Sequence, residues 1–430
     1  MSEQTRYTII GNSAAGIGAV EAIRERDPRG RITVLSKEPY HAYSRPLISY
    51  WLGGKVDDDA MPYRDEDFYE RHDVEPKLGV RAVGLDSERR VVKTEDGEEV
   101  PYDRLLVATG GAPMVPPQME GAEAEGVFTF TTWNEARAIR EYCESHGVSR
   151  AVVVGAGLIG LKSTEALVQM GLDVSVVELA DRVLGATFDR TASDMAEAAM
   201  ERAGVNVRCE DTVSRIHREA GHVSGVTLRS GDELDADLVM MAIGVRPNVQ
   251  PVAGSPVEVD RGILVDEHME TSVGEIYAAG DVAQAPELLS EGLQTLAILP
   301  DAYRQGAVAG ANMAGETEKY AGGLPMNSVD VFGLPTISVG ETDPDDEDAE
   351  ILIDRDEAER IYKKLVLRRG VLVGAIFIGD IERAGIYTGL IRRKVDVSDY
   401  REVLLSEEFG LLSLPADYRK HVVSGMGMEV

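Results

Sequence analysis

An α/β fold with two nested dinucleotide-binding units and a C-terminal α+β domain is predicted by three features of this chain. Two glycine-rich turns, Gly11-Asn-Ser13-Ala14-Ala15-Gly16 and Gly155-Ala-Gly157-Leu158-Ile159-Gly160, each follow an apolar β-type run and open a helical pattern. Segments with the character of the first unit return after the second, between residues 276 and 316. From about residue 317 the pattern changes to short β runs, followed by one helix.

The elements follow in order. Residues 6–11 read as a strand and 14–26 as a helix. Asp27-Pro28-Arg29-Gly30 turns the chain into a strand at 32–35, the βαβ entry to a doubly wound sheet. Residues 40–54 are irregular and end in a helix, and 80–100 read as hairpin strands with Asp96-Gly97 as a turn. A buried strand at 105–108 ends at Thr109-Gly110-Gly111, and the proline-bearing 112–117 reads as a linker.

The second unit holds a strand at 151–154, a helix at 158–170 and a strand at 173–178. A helix at 190–203, a strand at 205–209 and an apolar run at 238–244 complete it. A strand at 276–279 then leads through Gly280-Asp281 to a helix over 305–314. The first domain is therefore expected to be discontinuous, 1–112 and 245–316, with 113–244 inserted and 317–430 following. In that last part, 329–331, 336–339, 364–367 and 372–378 read as antiparallel strands and 380–392 as a helix. The acidic tract 341–350 reads as a solvated loop.

Composition narrows the function. A chain of 430 residues is long enough for two or three domains. A formal charge of −31 disfavours nucleic acid and anionic membrane as partners. No apolar run approaches the ~18 residues of a membrane span, so no membrane insertion is expected. The only cysteines are Cys143 and Cys209, without a CxxC pair. That excludes a cysteine-ligated iron–sulfur cluster or structural zinc site within the chain and fits a reducing, cytoplasmic location. The seven histidines show no metal-ligand spacing, so no metal is expected.

Glycine turns of this kind let backbone approach a pyrophosphate while a helix N-terminus faces its charge. Two of them point to one protein holding two dinucleotides, and so to hydride transfer between them. Glu178 ends the strand that follows the second turn. A carboxylate there accepts hydrogen bonds from both ribose hydroxyls and opposes a 2′-phosphate, favouring NADH over NADPH. At ~4 Å and an effective dielectric near ~20, two like charges repel by roughly 4 kcal/mol. Arg182, four residues later, is expected to offset this in part.

The motifs GNSAAG (11–16), YSRPLISY (43–50), ATGG (108–111), GAGLIG (155–160), AIGVRPN (242–248) and YAAGDVA (277–283) occur in a recognisable order. The chain resembles the two-dinucleotide flavoproteins of the pyridine nucleotide-disulfide oxidoreductase family, which includes glutathione reductase. Within that family it is most similar to NADH:rubredoxin reductases and to the flavin–NADH part of nitrite reductase large subunits. The resemblance spans residues 5–395 and implies a glutathione reductase-like fold with FAD on the first turn and NADH on the second. It assigns FAD contacts to Gly11, Ser13, Ala14, Ala15, Gly16, Arg45, Pro46, Val83, Ala108, Thr109, Gly110, Asp281 and Ala297. Ser13 stands where the family has its middle glycine. Ser36 and Lys37 stand where an acidic residue usually binds the adenosine ribose. Asp281 matches the aspartate that bonds a ribityl hydroxyl, and Leu296-Ala297-Ile298 the stretch at the flavin pyrimidine edge. NADH contacts fall on Gly155, Gly157, Leu158, Ile159, Gly160, Glu178 and Gly244.

Departures from the family pattern are as informative. Disulfide-active members carry a cysteine beside the flavin, whereas residues 43–50 hold Ser44 and Ser49 and no cysteine. A thiolate intermediate is therefore not expected. Relatives that reduce iron–sulfur proteins often pair a lysine at the place of Tyr50 with a glutamate at the place of Lys162, near flavin N5. Tyr50 and Lys162 are thus the candidate catalytic positions, with Lys162 facing the cofactors alone or pairing with another carboxylate. The third unit resembles the family's interface domain, which implies a homodimer or a heteromeric complex. Its basic residues Lys363, Lys364, Arg368, Arg369, Arg392, Arg393 and Lys394 either dock a small acidic electron carrier or are ordinary solvated faces.

The function so implied is an FAD-dependent NADH oxidoreductase serving a rubredoxin- or ferredoxin-like protein or another iron–sulfur partner. An NADH oxidase using oxygen and a non-catalytic FAD/NADH-sensing binding protein are the two alternatives.

Overall fold

The computed structural model describes residues 4–116, 118–406 and 408–414. These residues divide into two compact units, one within 1–179 and 205–323 and one within 180–204 and 324–430.

The first unit contains two five-stranded parallel sheets. One runs in the order Ile276–Ala278, Arg104–Val107, Arg6–Ile10, Arg31–Ser36, Val74–Leu78. The other runs Asn206–Arg208, Asp173–Val177, Arg150–Val154, Leu238–Met241, Val127–Thr129. In both, the glycine turn follows the central strand, where connections leave to opposite sides of the sheet. That is the switch point at which an open α/β sheet makes a crevice. The central strands are apolar throughout because both faces are covered, with Ile9 and Val153 fully buried.

Helix Ala14–Arg26 packs against helix Leu299–Met313 at backbone distance. A Cβ on Gly306 would stand 2.0 Å from the carbonyl oxygen of Ala15, so only glycine permits the approach. This contact brings the helix that follows Gly280-Asp281 against the helix of the first glycine turn.

Several elements are additional to the sequence expectation. Val74–Leu78 and Val127–Thr129 are short edge strands whose side chains are mostly exposed or half-buried, and helix Trp133–His146 begins at a Thr132/Glu135 capping box. The expected linker is in part a strand, since Gly111–Pro113 pairs antiparallel with Val245–Pro247.

The second unit is a five-stranded antiparallel sheet with helices. Its order is Met326–Val331, Leu334–Gly340, Val371–Ile378, Ile361–Arg368, Glu350–Asp356. Helix Ala384–Arg392 follows the sheet, and helix Arg190–Arg202 belongs to the same unit. Asp189 caps the latter helix by accepting from the Ala192 N–H. The same carboxylate accepts from Tyr362 Oη at 2.6 Å and Lys364 Nζ at 2.8 Å, tying helix to sheet.

Candidate functional site

Both glycine turns are built as tightly as backbone allows. Gly11 and Gly155 have φ of +132° and +103°, a region unfavourable to side chains. A Cβ on Gly11 would lie 2.0 Å from the Ala108 carbonyl oxygen, and one on Gly155 would lie 2.5 Å from that of Ala242. Gly16 and Gly160 are equally hemmed in, by the carbonyls of Gly11 and Gly155. The middle position differs. A Cβ on Gly157 would meet nothing within 4 Å. This explains the serine at the matching position of the first turn: Ser13, at φ −126°, needs no left-handed backbone. Neither helix start is closed by its N-cap side chain. The N–H groups at Ala14-Ala15 and Leu158-Ile159 thus form the donor set an anionic pyrophosphate requires. The residues present fit two dinucleotides.

At the first turn Gly11 lies against Ala108, and Gly280 against Ala15. Ala108, Thr109 and Gly110 follow the adjacent strand, and Thr109 Oγ1 donates to the Asn248 carbonyl at 2.8 Å. The Gly280 N–H donates to buried Gln305 Oε1 at 2.8 Å, which fixes the turn presenting Asp281. Burial raises the Asp281 carboxyl above its ordinary value, and the charge of Arg45 opposes that rise. Arg45 is itself positioned: it donates to Glu38 at 2.9 Å and to the Thr131 carbonyl at 2.8 Å. Glu38, only 5 % exposed, also accepts from Tyr43 Oη. Sequence reasoning missed Glu38 and Tyr43 as positioning residues. Ser36 Oγ donates to the Glu38 carbonyl at 3.0 Å, so the residue expected at the ribose first shapes the strand end. Lys37, Pro46 and Ala297 are exposed, and Val83 offers its carbonyl to Gln250.

At the second turn, Glu178 Oε2 accepts from the Ala156 N–H at 2.6 Å. The carboxylate thus sits on the turn itself, where sequence reasoning places the adenosine ribose of NADH. Gly244, at φ +118°, bonds through its carbonyl to the Met114 N–H at the strand crossing. Arg182, expected to offset Glu178, is engaged by Asp343 at 2.9 Å within the second unit.

Tyr50 and Lys162 come together. Lys162 Nζ lies 5.7 Å from the centroid of the Tyr50 ring and 2.6 Å from Glu165 Oε2, one turn along the same helix. Of the two arrangements expected for Lys162, the carboxylate-paired one occurs. Its partner Glu165 is 8 % exposed. The i,i+3 spacing was the signal available in the sequence.

No cysteine approaches this region from the YSRP segment: Ser44 and Ser49 occupy it, and Ser49 Oγ bonds back to the Pro46 carbonyl. Cys143 is buried in helix Trp133–His146, and its thiol is pushed up to about 11 by burial and then by Glu144. It is no thiolate at neutral pH.

In the second unit the docking expectation for the basic residues needs correction. Lys364 is 4 % exposed and bound to Asp189. Lys363 pairs with Asp380, and Arg368 pairs with Glu341 and Asp346. The acidic tract is therefore not a plain solvated loop. Its carboxylates neutralise the arginine that the sequence pattern left open for a partner.

Comparisons with known proteins agree with this geometry. Residues 5–306 match the family described as pyridine nucleotide-disulphide oxidoreductase, and 325–395 match the rubredoxin NAD+ reductase C-terminal domain. The NADH-dependent phenylglyoxylate dehydrogenase subunit epsilon of Aromatoleum evansii is 36% identical over 93% of this chain and 94% of its own length. The nitrite reductase [NAD(P)H] of Bacillus subtilis is 31% identical over 94% of this chain, which spans only 50% of that protein. The NAD-dependent persulfide reductase from A. fulgidus superposes with a TM-score of 0.84 at 30% identity, covering 93% of this chain and 79% of that one. Among the described residues, no helix is long and apolar enough to cross a membrane.

Proposed function

Because this chain belongs to the pyridine nucleotide-disulphide oxidoreductase family and carries a rubredoxin-reductase C-terminal domain, we propose that it passes electrons from NADH through FAD to a small redox protein or iron–sulfur subunit. The chain is an oxidoreductase of a family whose members typically bind FAD and NAD(P)H. The observation that carries the proposal is the pair of glycine turns with Glu178 seated on the second.

When bound, FAD accepts electrons two at a time from NADH and releases them singly. The chain's residues bind, orient and set charge. The helix starts at Ala14 and Leu158 hold the two pyrophosphates. Glu178 accepts from the NADH ribose and repels a 2′-phosphate. Asp281 accepts from a ribityl hydroxyl, with Arg45 beside it as counter-charge. The start of helix Leu299–Met313 favours negative charge at the flavin pyrimidine edge. The Lys162–Glu165 pair, near Tyr50, adjusts the charge felt where nicotinamide and flavin meet.

The acceptor reading draws on the C-terminal domain match and the cysteine-free YSRP segment. Charge complementarity gives it less support, since Lys363, Lys364 and Arg368 are engaged within the chain. The relation to a dehydrogenase subunit favours a heteromeric complex, with a homodimer as the alternative. The same proposal includes an FAD-binding domain of 1–112 with 245–316, an NAD(H)-binding domain of 113–244, an interface domain of 317–430 and a reducing compartment.

The test supplies anaerobic, FAD-loaded protein with NADH and then rubredoxin, ferredoxin or oxygen in turn. Faster turnover with an iron–sulfur or rubredoxin acceptor than with oxygen supports the reading. Turnover with oxygen alone makes the chain an oxidase. A stoichiometric NADH–flavin complex that reduces no acceptor makes it a binding protein.

A further inference from the structure

We propose that Glu125, His146 and His222 form a surface site for a divalent transition metal of the zinc class. Each offers one ligand atom, and these atoms lie within 4.8 Å of one another. The three come from separate elements. Glu125 precedes strand Val127–Thr129, His146 ends helix Trp133–His146, and His222 opens strand His222–Leu228. No local spacing betrays the site, which is why the sequence pointed to no metal.

The scaffold holds the ligands before any ion arrives. Glu125 and His222 are locked in register by backbone bonds: Glu125 N–H to the Gly221 carbonyl at 3.0 Å and Val223 N–H to the Glu125 carbonyl at 2.9 Å. The helix bearing His146 ends sharply at Gly147, φ +63°. Tyr142 supports both rings. It stacks on His146 at 4.3 Å, and its hydroxyl donates to the Glu125 carbonyl at 3.2 Å and reaches His222 Nδ1 at 3.4 Å. His146 Nδ1 lies 3.1 Å from the Tyr142 carbonyl. Donation there selects the tautomer that leaves Nε2 as a ligand, the usual supporting arrangement for a metal-bound histidine.

Two imidazoles and one carboxylate suit zinc, nickel or copper, and suit magnesium and calcium poorly. Three protein ligands leave one tetrahedral position for water. A bound ion clips the Gly221 turn of the hairpin Val213–Leu228 to the end of the helix. That hairpin packs by Val213, Ile216 and Val226 on the sheet that carries the second glycine turn.

The test is zinc titration of the chelator-stripped, FAD-loaded full chain in excess magnesium, which occupies generic carboxylate sites. One zinc per chain is expected, weakened by about tenfold or more in His146→Ala and His222→Ala and unchanged in His217→Ala. Zinc binding no tighter than magnesium, or equal binding in all variants, overturns the proposal. Zinc X-ray absorption on the unmodified protein decides without relying on the variants' folding. Two imidazoles per zinc support the site, and an oxygen-only shell overturns it.

Discussion

Lys162 and Glu165 form an ion pair one helical turn apart, with the Lys162 ammonium 2.6 Å from a carboxylate that is almost entirely buried. Relatives that reduce iron–sulfur proteins often carry a lysine at the place of Tyr50 and a glutamate at the place of Lys162; here the cation stands instead on the helix of the second glycine turn. A buried carboxylate and its cation have opposite effects on an electron-accepting ring nearby. Lys162→Met should lower the flavin midpoint potential and Glu165→Gln should raise it. The expected size is on the order of 30 mV for a two-electron couple, equivalent to ~1.4 kcal/mol. Potentiometric titration checks the opposite signs, and FAD content should stay unchanged in both variants.

Cofactor choice is expected to rest on Glu178. Glu178→Ala should reduce the preference for NADH over NADPH by about tenfold, ~1.4 kcal/mol. It also removes the acceptor of the Ala156 N–H, so NADH itself should bind less tightly. Anaerobic reduction rates with each nucleotide read both effects.

No thiol step is expected from Cys143 or Cys209. Cys143→Ser with Cys209→Ser should keep NADH-to-dye turnover within about tenfold of the parent, ~1.4 kcal/mol in barrier. Because Cys143 is buried, the variant should lose about 1 kcal/mol of stability. Steady-state kinetics and thermal unfolding separate the two.

Asp237 gives a pH-dependent contribution. Burial raises its pKa, but bonds from Arg150 and from Ser149 win and bring the carboxyl down to about 2. A depressed folded pKa contributes stability above the unfolded value near ~3.9 and loses it as pH falls toward the folded one. Asp237→Asn should therefore cost ~1 kcal/mol at neutral pH, a figure discounted for solvent screening. The difference from the parent should vanish near pH ~2. Denaturant unfolding as a function of pH checks it.

The glycine turns and the strand that ends at Ala108 were legible in the sequence because each carries a local signal, a backbone requirement or a continuous apolar run. Gly11 and Gly155 must adopt positive φ, and no other residue fits against Ala108 and Ala242. The edge strands Val74–Leu78 and Glu350–Asp356 were not legible, because Val74 alone of their side chains is buried and no buried face sets a period. Long-range pairing was hidden for the same reason that local pattern is informative. Glu38 reaches Arg45 and Tyr43, and Lys364 reaches Asp189, through tertiary structure alone. Lys364 illustrates the error this causes: a charged residue in a basic run reads as surface until its buried partner is seen.

The most direct test is an anaerobic NADH titration of the FAD-reconstituted protein, followed by visible absorption. About one FAD per chain should bind, and NADH should bleach it faster and at lower concentration than NADPH. A protein that takes up no FAD, or one whose bound flavin stays oxidised under excess NADH, would contradict the account.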